Sequence, residues 1–302
     1  MSSVNTTSMT TIGPSRAAVI TAHYSLILVF IGTSLNIITF IILCRSTFRN
    51  TKTKPIIHYM RTMAIFDILM LYGWNLDHYL ANIHGFTFSR QAIPLCRFFS
   101  FLNYFAAQTS AWLRVFVCLD RYLSLSRLHR TWFSQSKNIL IIITCIMGIL
   151  LLLNFHFFLF VCYSRADGTI SVSSWLYVVY PLWDYVNLGV YNCAPFIFMV
   201  TFNSGAIYHL IHLRYTSTIQ NSRIQHKSIS ITLIITTFLF LIMTIPATVG
   251  YAFFPTANST ILHLLDGLLY TYHALSFPLY MIIFDTITQQ RNVRFHDKMH
   301  SE

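Results

Sequence analysis

The stretch Cys96–Tyr122, CRFFSFLNYFAAQTSAWLRVFVCLDRY, determines how the rest of the chain is interpreted. It has polar residues at both ends and a middle that is apolar enough to cross a membrane. At about 1.5 Å per helical residue, the segment from Cys96 to Asp120 is roughly 36 Å long, which exceeds the ~30 Å hydrocarbon core of a bilayer. The stretch therefore predicts a membrane-spanning helix with a cysteine at one face and Asp120-Arg121-Tyr122 at the other.

The composition is that of an integral membrane protein. The 302 residues are 55% hydrophobic and 10% charged, with a mean hydropathy of +0.58, which lies outside the range of ordinary soluble domains. The net charge of +11 is typical of some nucleic-acid-binding proteins, but the basic residues are distributed between apolar segments and form no single patch. The first fifteen residues lack the pattern of a cleavable signal peptide. We therefore expect a lipid bilayer and no nucleic acid as a partner, with the first span directing insertion.

Seven apolar segments predict an all-α membrane protein, a seven-transmembrane helix bundle. Their approximate bounds are 17–43, 56–80, 96–122, 138–161, 183–213, 228–254 and 261–284. The predicted organisation is an extracellular tail over 1–16, a transmembrane domain over 17–285 and a cytoplasmic tail over 286–302. The last tail has the pattern of a short amphipathic helix on the inner leaflet.

The basic residues predict the orientation of the bundle. If the amino terminus lies outside, fifteen of the 20 Lys and Arg residues fall in inner segments and four in outer segments, with Arg114 inside the membrane. The outer four are Arg16, Arg90, Arg97 and Arg165. This asymmetry follows the positive-inside rule and places the carboxyl terminus inside. It also places two N-glycosylation acceptor sequences, at Asn5 and Asn258, on the outer side, although a Thr-rich tail can contain the first one by chance.

Taken together, the Asp120-Arg121-Tyr122 triplet at an inner boundary and the seven spans resemble the rhodopsin-like (class A) G-protein-coupled receptors. The third span of these receptors starts at a disulfide cysteine and ends in Asp-Arg-Tyr at this spacing. The resemblance extends through single residues of every span except the fourth, and the stretches WLRVFVCLDRY and PFIFMVTFN are most similar to invertebrate neuropeptide receptors. It implies a plasma-membrane receptor that binds an extracellular ligand and activates a heterotrimeric G protein without a cofactor.

Two charged residues, Asp67 and Arg114, are predicted at membrane depth. An ionised side chain there costs several kcal/mol unless it is paired or hydrated. Because Asp67 is the only mid-membrane acid expected, we predict that Arg114 is its counter-ion. The family binds sodium at this aspartate with help from a third-span serine, here Ser110, and Arg114 would displace that ion. Asn36 of the first span completes the predicted polar core. The alternatives are a purely structural role for Asp67 and snorkelling of Arg114 to the inner face.

The resemblance also assigns roles at the inner end. Arg121 is expected to meet the carboxyl-terminal helix of the G protein, together with Asp120 and Tyr122. Before activation we expect Asp120 to hold the Arg121 guanidinium in an ion pair, and a simple anchor for the helix end is the alternative. His226 replaces the acid that restrains this arginine in many relatives, which predicts some agonist-independent activity.

The resemblance also concerns a disulfide bond, three prolines and several positions at which this chain differs from the family. The outer disulfide is expected between Cys96 and Cys162, with Cys193 as a weaker competitor. Family prolines are matched by Pro195, Pro246 and Pro278, which act as hinges or as packing kinks. Four further positions depart from the family, in addition to Arg114 and His226. They are Asn203 for the tyrosine of the fifth span, Thr244 for the tryptophan of the sixth, and Phe277 and Met281 in the seventh-span motif. These departures predict an altered transmission mechanism.

The resemblance implies a ligand site in the outer half of the bundle, where the positions that would face the family's pocket form an aromatic wall with two carboxylates. Its residues are Trp74, Asp77, Asn103, Tyr104, Trp183, Tyr251, Asp266 and Tyr270. Such a wall suits a peptide with basic or aromatic side chains, and aromatic residues of a membrane-interface belt are the alternative. Asn103 stands where amine receptors have an aspartate, and Thr271 stands where opsins have their retinal lysine, so neither ligand class is expected.

Three other functions are alternatives to a peptide receptor. A chemosensory receptor for a small molecule is the alternative, and a transporter is a weaker one because we expect only Asp67 and Arg114 as intramembrane charges. A metal-dependent membrane enzyme would need clustered ligands, and His209 and His212 are the only close pair. We therefore predict neither an enzyme nor a metal site.

Overall fold

The described part of the chain is a bundle of long helices. A computed structural model describes residues 15–45, 56–126, 135–166, 168–172, 182–216 and 220–275, and of 213–216 and 220–233 it describes the backbone only. The first helices are α1 (Arg16–Cys44), α2 (Ile56–His84), α3 (Ile93–Leu125) and α4 (Ser136–Asn154), which continues as a short helix, His156–Phe160. A two-stranded antiparallel hairpin follows, with β1 (Tyr163–Ser164) paired to β2 (Ile170–Ser171).

The fifth helix of the bundle changes its winding along its length. We call it α5, and it consists of an α-helical turn (Leu182–Asn187), a π-helical stretch (Leu188–Cys193) and a longer α-helix (Ala194–Thr216). It is followed by α6 (Gln220–Phe253) and by α7 over residues 259–275. The most extensive packing joins α1 to α2, α2 to α3 and α3 to α5, so α3 is the central helix of this part of the bundle.

Within the described ranges, four helical segments are long and apolar enough to cross a membrane. They are Arg16–Cys44, Ser136–Phe160, Leu182–His212 and Ile234–Phe253. Many of their large apolar side chains point outward, and Ile20, Phe30 and Leu152 are each more than 60% exposed. Because contiguous apolar surface of this kind is unusual on a soluble protein, its outward position fits contact with lipid.

Small residues allow the first helices to pack closely. Ser15 caps the start of α1 by accepting a hydrogen bond from the backbone N–H of Ala18. Further along α1, a Cβ atom on Gly32 would collide with Leu71 of α2 and lie only 3.2 Å from the Cβ of Ala274 in α7. A glycine at this position therefore lets three helices meet, and one turn later Asn36 is buried between them.

A disulfide bond between Cys96 and Cys162 ties the start of α3 to the segment before β1. The pairing expected from the family resemblance is therefore present, and Cys193 is free. Beside the disulfide, the Arg97 side chain donates a hydrogen bond to the carbonyl of Val161 (2.9 Å). Together these contacts attach the hairpin to the start of α3.

The π-helical stretch of α5 leads directly into Pro195. Within it, the backbone N–H of Ala194 donates to the carbonyl five residues earlier, on Gly189. In that register the next carbonyl, on Val190, would pair with residue 195, but proline has no N–H. The indole N–H of Trp112 in α3 donates to Val190 instead, at 3.0 Å. A neighbouring helix thus satisfies the carbonyl that the proline leaves free, as membrane bundles require.

The other two predicted kink sites are only partly described. Pro246 lies inside α6, as expected. Pro278 lies outside the described residues, as do Phe277 and Met281. The side chain of His226 is also outside the described part of α6.

Candidate functional site: an outer cavity and a buried charge network

Asp67 and Arg114 form an ion pair in the centre of the bundle. The Nη2 atom of Arg114 lies 2.9 Å from Oδ2 and 3.1 Å from Oδ1 of Asp67. Ser110 donates to Oδ1 of the same carboxylate at 2.6 Å and also accepts a hydrogen bond from Nη1 of Arg114. All three side chains are buried, so the predicted counter-ion geometry is confirmed. The displacement of sodium stays a prediction.

A second partner of Asp67, which the sequence analysis did not identify, is His273 of α7. Its Nδ1 atom lies 2.7 Å from Oδ1 of Asp67, and its Nε2 atom lies 2.9 Å from the hydroxyl of Tyr191 in the π-helical stretch. His273 is fully buried. The backbone carbonyl of the same residue accepts a hydrogen bond from the amide of Asn36 (3.4 Å). The network thus joins α1, α2, α3, α5 and α7.

The charges of this network balance when His273 is neutral. Arg114 and Asp67 cancel, and a protonated imidazole would add an uncompensated buried charge. The hydrogen bonds fit one neutral tautomer, in which Nδ1–H donates to the Asp67 carboxylate and Nε2 accepts from the Tyr191 hydroxyl. The Arg114 guanidinium also lies over the ring of Tyr272, with Cζ 4.9 Å from the ring centroid. This cation is therefore stabilised from two sides.

A cavity of about 380 Å³ lies between the helix ends on the hairpin side of this network. Its lining residues are Met70, Trp74, Asn103, Tyr104, Ala107, Asp184, Asn187, Tyr191, Ala247, Thr248, Tyr251, Pro255, Asp266, Leu269 and Tyr270. The lining is mainly apolar and aromatic with a few polar groups, which is the usual character of a small-ligand site. None of these lining residues is basic.

Two carboxylates face this cavity, and each has a tyrosine hydroxyl as its partner. Tyr104 of α3 donates to Oδ1 of Asp184 at the start of α5 (3.3 Å). Tyr251 of α6 donates to Oδ2 of Asp266 in α7. A further hydrogen bond, from Tyr270 to the side-chain oxygen of Asn103 (2.9 Å), joins α7 to α3 across the lining. Among the described residues, neither carboxylate takes part in an ion pair.

Six of the eight residues predicted for the ligand site line the cavity, and two do not. Asp77 accepts hydrogen bonds from the backbone N–H groups of Phe88 (2.7 Å) and Ser89 (3.0 Å), so its carboxylate holds the loop between α2 and α3. Trp183 packs against the ring of Tyr104, at 6.2 Å between centroids, and against Phe157. Trp183 therefore supports the cavity wall from outside the lining.

Several lining residues were not predicted. Asp184 follows Trp183 in sequence, and the start of the helix at Leu182 turns the acid toward Tyr104. Asn187 accepts a hydrogen bond from Gln108 (3.0 Å), whose side-chain oxygen accepts in turn from Asn154 of α4 (2.7 Å). Tyr191 is the most informative omission, because it lines the cavity and also contacts His273. An isolated tyrosine before a proline gave no signal for this double role.

The carboxyl-terminal end of α3 differs from the prediction in one respect. Asp120 and Arg121 form no ion pair, and the Nε atom of Arg121 is buried without a hydrogen-bond partner in the described part of the chain. Consecutive residues of an α-helix point about 100° apart and do not face each other. No direct ion pair therefore joins the two side chains among the described residues, and a restraint of Arg121 by the nearby Asp120 charge stays a prediction.

Tyr122 packs on the neighbouring helix α5. Its ring stacks on Phe202 at 6.2 Å between centroids and lies beside His209 at 5.6 Å. A Cβ atom on Gly205 would lie 2.7 Å from Cε2 of Tyr122, so the glycine provides the space for this ring. The last residue of the Asp-Arg-Tyr triplet thus links α3 to α5.

The two polar replacements in the fifth and sixth helices join those helices to each other. Asn203 donates to the hydroxyl of Thr237 at 2.9 Å, and both side chains are buried. Nearer the cavity, the Thr244 hydroxyl lies 2.6 Å from Oδ1 of Asn192, whose amide donates to Thr248 at 2.7 Å. Hydrogen bonds between α5 and α6 therefore occur where the family resemblance led us to expect larger aromatic side chains.

The remaining predicted sites are only partly described. Asn258 is exposed in the turn before α7, where its side-chain oxygen accepts from the backbone N–H of Thr260 (2.9 Å). Asn5 lies outside the described residues. In the part of the chain that the structure describes, no three His, Cys, Asp or Glu side chains are grouped so that they could hold a metal ion.

Comparison with known proteins does not assign the chain to a family. No protein-family model matches it, and no curated protein matches it significantly. The functional interpretation therefore depends on the geometry of the site and on the motifs of the sequence.

Proposed function

We propose that this protein is a seven-transmembrane receptor of the plasma membrane that binds an extracellular ligand and activates a heterotrimeric G protein. The observation that carries the proposal is the position of Tyr191, which lines the outer cavity and contacts His273 in the buried charge network. A ligand that moves Tyr191 changes a hydrogen bond of the network that joins five helices. A ligand shifts a conformational equilibrium only if it binds one conformation more tightly than the other, and a contact with Tyr191 can provide this difference.

The proposed ligand is a peptide that places a basic or aromatic group in the cavity. Trp74, Tyr104, Tyr251 and Tyr270 provide aromatic faces for a cation, and the lining carboxylates provide its counter-charge. The volume of about 380 Å³ lies toward the lower end of the usual 300–1,000 Å³ for ligand pockets. This size favours the end of a peptide over a whole peptide, and it also supports the second candidate function, a chemosensory receptor for a small molecule.

The proposed topology has seven spans, an outer amino terminus and an inner carboxyl terminus. It is supported by the distribution of Lys and Arg between the two faces. It also places the Cys96–Cys162 disulfide and the turn containing Asn258 on the outer side, where disulfides persist and glycans are added. Removal of N-linked glycans from the wild type and from Asn258→Gln tests this. A glycan that is present in the wild type and reduced in the variant supports the topology, whereas cytosolic labelling of an Asn258→Cys thiol contradicts it.

At the inner end, Arg121 is the proposed contact for the G protein, between Asp120 and Tyr122. No direct ion pair joins Asp120 to Arg121 among the described residues, although the two charges lie close enough to attract each other. The expectation of agonist-independent activity depends on His226, which stands where many relatives of the family have an acid that restrains this arginine. Tyr122 holds the end of α3 against α5 through its contact with Gly205.

The test is G-protein activation in cells that express the wild type or Arg121→Ala at equal surface level, first without ligand and then with a library of basic and aromatic neuropeptides. Lys137→Ala is a matched control, since Lys137 is an exposed basic residue at the start of α4, on the same proposed face. We expect activity in the wild type and in the Lys137 variant and its loss in Arg121→Ala. Activity that persists in Arg121→Ala would exclude the proposed coupling role.

A further inference from the structure

We infer that the cavity binds a ligand with two separate positive groups, one for Asp184 and one for Asp266. This inference rests on the proposed function, because it names the ligand class of the same site. Among the described residues, the cavity lining has two acids and no basic side chain. A positive ligand group would stabilise the ionised form of each acid, and among the described residues neither acid takes part in an ion pair.

The two carboxylates form similar half-sites on different pairs of helices. One half-site consists of Asp184 in α5 with its hydrogen-bond donor Tyr104 in α3. The other consists of Asp266 in α7 with its donor Tyr251 in α6. A hydroxyl donor leaves each carboxylate with acceptor capacity for one more partner, because an ionised carboxylate has about four lone-pair sites. Each half-site can therefore accept an ammonium or guanidinium group beside an aromatic ring.

Asp266 provides the stronger argument of the two. It is only 7% exposed, yet it lies in the cavity lining. Its one hydrogen-bond donor among the described residues is the neutral Tyr251 hydroxyl. The position is therefore buried enough to strengthen a charge pair and open enough to receive a ligand group.

A dication that occupies both half-sites connects α3 and α5 to α6 and α7. A ligand with one positive group can neutralise only one carboxylate and leaves the other without a counter-charge. We therefore expect the affinity of a ligand to depend more on the number of its positive groups than on its length. Two sources have this chemistry, a small diamine and a peptide end that has both a free amino group and a basic side chain.

The experiment measures apparent dissociation constants from ligand-induced shifts in the melting temperature of the full chain, purified in lipid nanodiscs. The small probes are diaminoalkanes from diaminopropane to diaminooctane, each compared with the monoamine of equal length. The peptide probes are Arg-Phe amide and its N-acetylated form, which lacks one positive charge. We expect at least one dication to bind ten or more times more tightly than its singly charged partner, and the probe set that shows this identifies the source.

Variants show whether the two carboxylates cause the preference. Asp184→Asn and Asp266→Asn should each reduce the preference to less than threefold while a singly charged probe still binds, which shows that the site remains folded. Asp77→Asn is the matched control, since its carboxylate holds a loop outside the cavity, and it should keep the preference. No preference in either probe set, or a preference that survives both cavity variants, overturns the inference. If this happens while Arg121-dependent activation is intact, the ligand class is wrong and the receptor proposal stands.

Discussion

The Arg114 guanidinium lies 2.9 Å from the Asp67 carboxylate, and both side chains are buried inside the helix bundle. The cation that balances Asp67 is therefore part of the chain itself. In this arrangement the carboxylate and Ser110 are already occupied by Arg114, so a bound sodium ion would have to compete with a covalently attached partner.

The first prediction follows from this occupancy. Exchange of sodium for choline at constant ionic strength should leave the melting temperature of the wild type unchanged. Arg114→Leu should gain a sodium response, because Asp67 and Ser110 remain and the cation is lost. The double variant Asp67→Asn/Arg114→Leu should not respond. A sodium response that is the same in the wild type and in Arg114→Leu contradicts the counter-ion role.

The same variants give a prediction for stability. Removal of one partner from a buried ion pair typically costs about 3–5 kcal/mol, because the other charge remains without compensation. We expect Arg114→Leu to lose stability of this order. The double variant should recover much of the loss, since it leaves no buried charge at the pair. Unfolding in detergent micelles measures both, and a double variant that is less stable than either single variant would refute the argument.

A third prediction concerns the hydrogen bond between Tyr191 and His273. Tyr191→Phe keeps the ring in the cavity wall but removes the hydroxyl that faces Nε2 of His273. Because a buried acceptor is then left without a donor, we expect a loss of about 1–3 kcal/mol in stability. Basal signalling should change in the same variant if this bond links the cavity to the network. His273→Phe should make the Tyr191 substitution nearly neutral, and additive effects in a double-mutant cycle would disprove the coupling.

The fourth prediction tests the role of Trp112 beside Pro195. Trp112→Phe removes the indole donor to the Val190 carbonyl and should cost about 0.5–1.5 kcal/mol. In a Pro195→Ala background the new backbone N–H of residue 195 can donate to the same carbonyl. We therefore expect Trp112→Phe to cost less in that background. An equal cost in both backgrounds would show that Trp112 acts only through packing.

The fifth prediction concerns the contact between Gly205 and Tyr122. Gly205→Ala places a methyl group 2.7 Å from Cε2 of the tyrosine ring, and overpacking of this kind typically costs about 1–3 kcal/mol. The variant should therefore be less stable and should activate the G protein differently from the wild type. Tyr122→Ala should relieve the collision, so the double variant should lose little relative to Tyr122→Ala alone. If Gly205→Ala costs as much stability in the Tyr122→Ala background as in the wild type, the collision does not involve the Tyr122 ring.

The sequence was sufficient for features that a strong physical constraint determines. A charge at membrane depth needs a partner, and with one acid and one base expected there, the pair of Asp67 and Arg114 followed. Six of the eight residues that the family resemblance places at the ligand pocket line the cavity. The pairing of Cys96 with Cys162 followed from the family resemblance.

Other features depend on details that the sequence does not reveal. Asp77 lies on the expected helix, but two backbone N–H groups of the following loop compete for its carboxylate. Asp184 was missed because the exact start of α5 decides where its side chain points. His273 was missed because a histidine in an apolar helix gives no indication of which neighbours it contacts. No direct ion pair joins Asp120 to Arg121 among the described residues, because neighbours in sequence point in different directions on a helix surface.

Nucleotide exchange on a G protein measures the activity that we propose for the end of α3 that carries Arg121. The wild type, Arg121→Ala and Lys137→Ala are reconstituted in lipid nanodiscs, and uptake of a non-hydrolysable GTP analogue is measured with heterotrimers from each G-protein class. We predict that the wild type and Lys137→Ala accelerate uptake by at least one heterotrimer without added ligand, and that Arg121→Ala matches empty nanodiscs. Equal uptake by the wild type and Arg121→Ala with every heterotrimer would contradict the claim.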